Sequence, residues 1–187
     1  MEFIFSGLNL ALLGAALAAG LAGMGSAKGV SLVGDAGSGL LTEDPSKFGK
    51  VLILEALPGT QGIYGLITAF MIIFKLNLLG GEQLYISPEL GGYFLFASLP
   101  IAIVGFYSAI RQGKVAAAGV NLIAKRPGEV GKAITSAALV ETYAIFAVLV
   151  SLLLILFSPA AQTMAEHEAE LAELAKQAAE TAAAVIS

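Results

Sequence analysis

Ala133–Phe157 reads AITSAALVETYAIFAVLVSLLLILF, and Glu141 is its only charged residue. Between Lys132 and Glu166 nothing else carries a charge. The run is longer than the ~20 apolar residues with which a helix crosses a bilayer. A carboxylate at the middle of such a helix costs roughly 2.5–3.5 kcal/mol by insertion scales, and more by simulation. Such a residue faces the protein interior and pairs with an ion, a proton or a cation. Glu141 therefore marks an ion-handling site whose partners lie elsewhere in the chain.

The surrounding composition agrees. The chain has 187 residues, 57% hydrophobic and 13% charged, with a mean hydropathy of +0.85. That is membrane composition and excludes an ordinary soluble core. The absence of cysteine excludes a disulfide framework and a thiolate metal site. The net charge of −4 comes mostly from the C-terminal tail and decides little about partners.

Three more spans precede the first-quoted one. Phe3–Ala27 is uncharged, Val51–Phe74 carries only Glu55, and Leu90–Ile110 is uncharged and continues past Arg111 and Lys114 to Ala124. The first span is expected to be retained, since Glu2 precedes it and no basic leader exists. Lys28–Lys50 joins spans one and two, Lys75–Glu89 joins two and three, and Arg111–Lys132 bounds the three–four turn. Eight of the ten basic residues (Lys28, Lys47, Lys50, Arg111, Lys114, Lys125, Arg126 and Lys132) fall at one membrane side. The positive-inside rule puts these two turns in the cytoplasm, with both termini and the two–three loop outside.

The two halves of the chain resemble each other. Pro45-Ser46-Lys47-Phe48-Gly49-Lys50 matches Pro127-Gly128-Glu129-Val130-Gly131-Lys132, and in the same register Gly59-Thr60 falls on Glu141-Thr142. Ser26-Ala27-Lys28 falls on Gln112-Gly113-Lys114. The expected organisation is an all-α membrane protein of two tandem helical hairpins, 1–78 and 79–158, with an Ala- and Glu-rich tail, 159–187. Copies of two helices each are parallel repeats, which weighs against inverted-repeat transporter folds. One membrane carboxylate serves four helices, because the first copy has Gly59 where the second has Glu141.

Glycine organises the first helix. Gly25 and Gly29 form a small-xxx-small pair that lets backbones approach closely, either in the wall of a ring or in pairing within one bundle. The stretch is no phosphate loop, since Gly-x-x-x-x-Gly-Lys-Ser/Thr is absent.

Polar residues gather in Leu57-Pro58-Gly59-Thr60-Gln61-Gly62-Ile63-Tyr64, at the middle of span two. Pro58 removes a helix N–H and leaves the Leu54 carbonyl without its usual donor. Irregular backbone at membrane depth is tolerated where it is buried in protein or lines a site. Thr60 and Gln61 offer oxygens, Gln112 lies in span three, and Glu141 adds the charge. Several oxygens and one formal charge suit a small, hard monovalent cation such as Na⁺, or a proton. The same residue types also serve simply as cross-helix hydrogen bonds. Tyr64 and Tyr143 are candidates for the site or for packing. Glu55 is expected nearer the cytoplasmic end, interfacial or paired. His167, alone in an acidic tail, makes no metal site. The tail's short apolar strip, Leu171 and Leu174, is expected to support at least partial helix.

Four motifs in order carry a family resemblance: Gly25-Ser26-Ala27-Lys28-Gly29, Leu57 through Tyr64, Gln112-Gly113-Lys114-Val115-Ala116-Ala117-Ala118-Gly119, and Val140-Glu141-Thr142-Tyr143-Ala144-Ile145. The chain resembles the rotor-ring K (proteolipid, c-type) subunit of bacterial V-type ATPases, most closely the sodium-translocating kind, over residues 1 to about 158. The resemblance implies a homo-oligomeric ring of four-helix subunits in the bacterial cell membrane, without catalytic residues of its own. It implies Na⁺, with H⁺ as the alternative cargo, held by Glu141 and by oxygens of Thr60, Gln61, Gln112 and the Leu57 carbonyl. Tyr64 would hydrogen-bond the carboxylate. The implied partners are lipid, a stator membrane subunit bearing an arginine, and a central-stalk subunit at the cytoplasmic turns; no nucleic acid is implied. Glu55 and the tail have no place in the family pattern. A self-contained four-span exporter or channel is the alternative of a different class.

Overall fold

In a computed structural model of the chain, residues 6–80, 86–159 and 169–178 are described. Five helices carry the fold: α1 (Gly7–Glu43), α2 (Phe48–Ala56), α3 (Thr60–Lys75), α4 (Pro88–Lys125) and α5 (Val130–Leu156). Short 3-10 turns at Pro45–Lys47, Leu57–Gly59 and Pro127–Glu129 join α1 to α2, α2 to α3 and α4 to α5. α2 and α3 are one membrane-length element interrupted at Pro58, so the described residues hold four elements long and apolar enough to cross a bilayer.

The helices overrun the apolar stretches that reveal them. α1 continues past Ala27 to Glu43, and α4 past Ile110 to Lys125. Arg111 and Lys114 thus stand on a helix rather than in a turn, because Ala, Lys and Arg favour helix whether or not lipid surrounds them. The two connections shrink to 3-10 turns. Asp44 opens the first, its Oδ1 accepting the Ser46 N–H at 3.1 Å. The turns are clasped together, since Lys47 Nζ donates to the Ala124 carbonyl (3.1 Å) and Lys50 Nζ to the Pro127 carbonyl (2.9 Å). At the far end, Lys75 Nζ and Tyr93 OH donate to the Leu156 and Leu154 carbonyls, the open end of α5.

Across the bundle the order is α3, α1, α4, α5. α1 and α4 run parallel in tight contact because glycines line the seam. A Cβ on Gly25 would collide with the Phe106 backbone, and one on Gly113 with the Gly29 backbone. Gly25 and Gly29 therefore serve pairing within the bundle, the second of the two expected roles. Gly20 and Gly39 face no atom within 4 Å. Apolar side chains fill both ends of the bundle: Ile72, Leu76, Leu90, Phe94 and Ile155 at one, Val33, Leu54, Val120 and Ile123 at the other. α3 and α5 also expose large apolar residues along their outer faces, including Leu66, Phe70, Phe74, Leu139, Phe146 and Leu149, as an apolar solvent requires. In the tail, residues 169–178 are helical and exposed.

Candidate ion-binding site

The site forms where α3 begins. Pro58 has no N–H, so the helix that starts at Phe48 tightens through Leu57–Gly59 and restarts at Thr60. Such a break frees backbone groups, and side chains take them. Ser26 Oγ, from α1, accepts the Gly62 N–H at 2.8 Å. Thr60 Oγ1 donates to the Leu57 carbonyl at 3.0 Å and lies 3.3 Å from Gln61 Oε1. The Pro58 ring fits because position 29 is glycine, where a Cβ would come within 2.7 Å of it.

Gln112 enters from α4 and Glu141 from α5. Gln61 Nε2 donates to Gln112 Oε1, and Gln112 Nε2 donates to Glu141 Oε2 at 3.2 Å. Tyr64 OH donates to Glu141 Oε1 at 2.7 Å. Each carboxylate oxygen therefore accepts one donor from a different helix. Gln61 and Gln112 are fully buried, whereas Tyr64 and Glu141 are half-buried. The carboxylate thus sits at the rim of the bundle with its anchors inside.

All six residues expected from the sequence lie in one connected network: Leu57, Thr60, Gln61, Tyr64, Gln112 and Glu141. Two members were not expected. Ser108 Oγ accepts from Gln61 Nε2 at 3.4 Å and donates to the Val140 carbonyl at 3.0 Å. Ser26 holds the start of α3. The available signals were slight: Ser108 stands one turn before Gln112, and Ser26 lies inside the Gly25–Gly29 motif. Tyr143 is exposed and lines a groove with Tyr107, away from the carboxylate's donors. Glu55 stands apart from the network, its Oε1 lying where a Cβ on Gly34 would approach it to 2.9 Å. His167 lies outside the described residues.

Chemically, one formal negative charge has a backbone carbonyl, a hydroxyl and two amides around it. Among the described residues no three of His, Cys, Asp and Glu converge, so the several carboxylates that attract a divalent ion are missing. An amide turned half a revolution about its terminal bond exchanges donor for acceptor. Gln112 and Gln61 are thus able to serve either a carboxylate or a cation.

Comparison with known proteins gives the family. The family of the ATP synthase C subunit matches residues 13–72 and again residues 95–154, one match to each half of the chain. The V-type sodium ATPase subunit K of Enterococcus hirae is 49% identical over 150 residues, 80% of this chain and 92% of that protein. The A-type ATP synthase subunit K of Methanocaldococcus jannaschii is 38% identical over 148 residues, 79% of this chain and 62% of that protein. With four membrane-length elements, a single network around one in-span carboxylate and these relatives, the chain belongs to the family of the ATP synthase C subunit, as a non-catalytic membrane proteolipid of the ATPase rotor ring.

Proposed function

We propose that the protein binds Na⁺ at Glu141 and carries it across the membrane as the ring turns. The observation that carries this reading is the fixed carboxylate, held on both oxygens by Tyr64 and Gln112 beside the oxygens of Leu57, Thr60 and Gln61. The Enterococcus relative belongs to a V-type sodium ATPase, which supports the choice of ion. Binding would neutralise the carboxylate, so that the loaded site passes lipid without the cost of a bare membrane charge. An arginine on a stator subunit would promote release, and a central-stalk subunit would meet the two basic turns. On this reading the turns face the cytoplasm of a bacterial cell membrane, and the chain is organised as hairpins 1–78 and 79–158 followed by tail 159–187.

The test is modification of Glu141 by a hydrophobic carbodiimide, which attacks the protonated acid. Na⁺ favours the ionised carboxylate, so Na⁺ should slow the reaction while K⁺ does not. Glu141→Gln should still assemble but transport no ion. Absence of protection at high Na⁺ and neutral pH would replace Na⁺ with H⁺ as the cargo.

A further inference from the structure

Glu55 and Arg111 stand within the helical bundle and take no part in the Glu141 network. Glu55, half-buried on α2, makes no hydrogen bond or ion pair with any described residue, and its carboxylate rests in the cleft between α2 and α1 at Gly34. Arg111, exposed on α4, has among the described residues only the face of Tyr107, 5.4 Å from its guanidinium carbon. An uncompensated charge at membrane depth is costly and is normally found paired. Within one protomer the two cannot meet, because they lie on opposite sides of the bundle.

The contacts of α1 and α4 establish this. α1 gives Gly25 and Gly29 to α4, and Ser26 and Gly37 to α3 and α2. Its remaining face, turned away from α4, carries Gly20, Met24, Ala27, Ser31 and Gly34, with Glu55 beside it. α4 gives Ala109 and Gly113 to α1, and Ser108 and Gln112 to α5. Its remaining face carries Tyr107 and Arg111. Together with Val140 and Tyr143 of α5 they line a groove of about 390 Å³. A ring repeats one heterologous contact, in which one side of each protomer meets the opposite side of the next. A face of mostly small residues then opposes a groove, and an acid opposes a base.

Rotation about an axis along the membrane normal preserves depth, so depth is the decisive check. Arg111 stands at the level of Gly29, because Ala109 and Gly113 on either side of it both pack there. Pro58 packs at Gly29 too. Glu55 precedes it by three residues, roughly 4.5 Å along the helix. That is a displacement that an arginine side chain spans.

We infer that Arg111 of each protomer pairs with Glu55 of the neighbouring copy, closing the seam between copies one turn from the Glu141 site. The pairing rests on the ring assembly above, and the experiment separates the two. The chain has no cysteine, so Glu55→Cys and Arg111→Cys can be combined without background. A short bismaleimide should link this double variant into a ladder of dimers, trimers and higher species, while native mass spectrometry reports the ring independently. In separate variants, Glu55→Arg and Arg111→Glu should each lower the fraction of ring surviving dodecyl sulfate at least fivefold. The two reversals combined should restore it to within twofold of the parent. An intact ring whose cysteines fail to link between copies, or a combined reversal no better than either alone, would overturn the pair while leaving the ring. A parent protein that forms no ring would overturn the ring reading and the pair with it.

Discussion

Gly113→Ala tests whether the α1–α4 seam holds the site in register. The added methyl would stand 2.5 Å from Gly29 Cα, whereas unstrained carbon atoms rest 3.5–4.0 Å apart. The obstructing atoms are Gly29 backbone, so none can swing aside, and the helices must part by roughly 1 Å. Overpacking of this kind costs about 1–3 kcal/mol. Alanine in place of glycine returns up to about 1 kcal/mol of helix propensity, so a net loss of up to about 2 kcal/mol remains. The function should suffer as well, because Gln112 is the adjacent residue. Parting α1 from α4 also draws α3 from α4 and α5, so Gln61 pulls away from Gln112, and a further ~1 Å on the 2.7 Å bond from Tyr64 to Glu141 takes it out of hydrogen-bonding range. The assay is the thermal midpoint of the detergent-solubilised ring, paired with ²²Na⁺ binding. Gly131→Ala is the control, since nothing lies within 4 Å of its Cβ, and it should be neutral or stabilising by ~0.5–1 kcal/mol. If Gly113→Ala melts at or above the parent and binds Na⁺ equally well, the seam does not position the site.

Two further outcomes follow from the same network. Tyr64→Phe removes the 2.7 Å donor from Glu141 Oε1; a hydrogen bond to a charged group contributes about 1.5–3 kcal/mol, so ²²Na⁺ affinity should fall ~10–100-fold with the ring intact. Ser26→Ala strips the acceptor from the Gly62 N–H and should lower the thermal stability by about 1–3 kcal/mol, visible as a lower midpoint; an unchanged midpoint would mean that the start of α3 needs no support from α1.

Much of this arrangement is legible in the sequence. Glu141 announces itself because a charge in a long apolar run has no inexpensive explanation, and Pro58-Gly59 announces a break because proline cannot continue the backbone ladder. Helix ends were less legible. Hydropathy reports where lipid begins and ends, so it says nothing of the stretch from Lys28 to Glu43, which stays helical beyond the apolar run. Nor does a glycine disclose its neighbour. Gly25 meets Phe106 while Gly20 meets nothing, and only the helical phase relative to α4 separates them. Ser26 and Ser108 escaped notice because a lone serine is a common filler of tight helix contacts, and its bond to a backbone group leaves no mark on spacing. Glu55 was expected to be interfacial or paired; within the protomer it is half-buried and unpaired among the described residues.

Gly59 in the first half, at the position matching Glu141 in the second, has a mechanical consequence. Four helices now occupy the circumference that delivers one charge, where two carboxylates would have delivered two. For a rotor of given girth, each revolution moves half as many ions, while the torque source spends the same chemical energy per turn. Each ion is therefore driven with twice the work. Since an elementary charge crossing 100 mV requires about 2.3 kcal/mol, such a low gear lets a pump go on expelling ions against a voltage that would stall one with a carboxylate in every hairpin. The same gearing makes the reverse direction, synthesis driven by ions flowing back, correspondingly demanding of membrane potential.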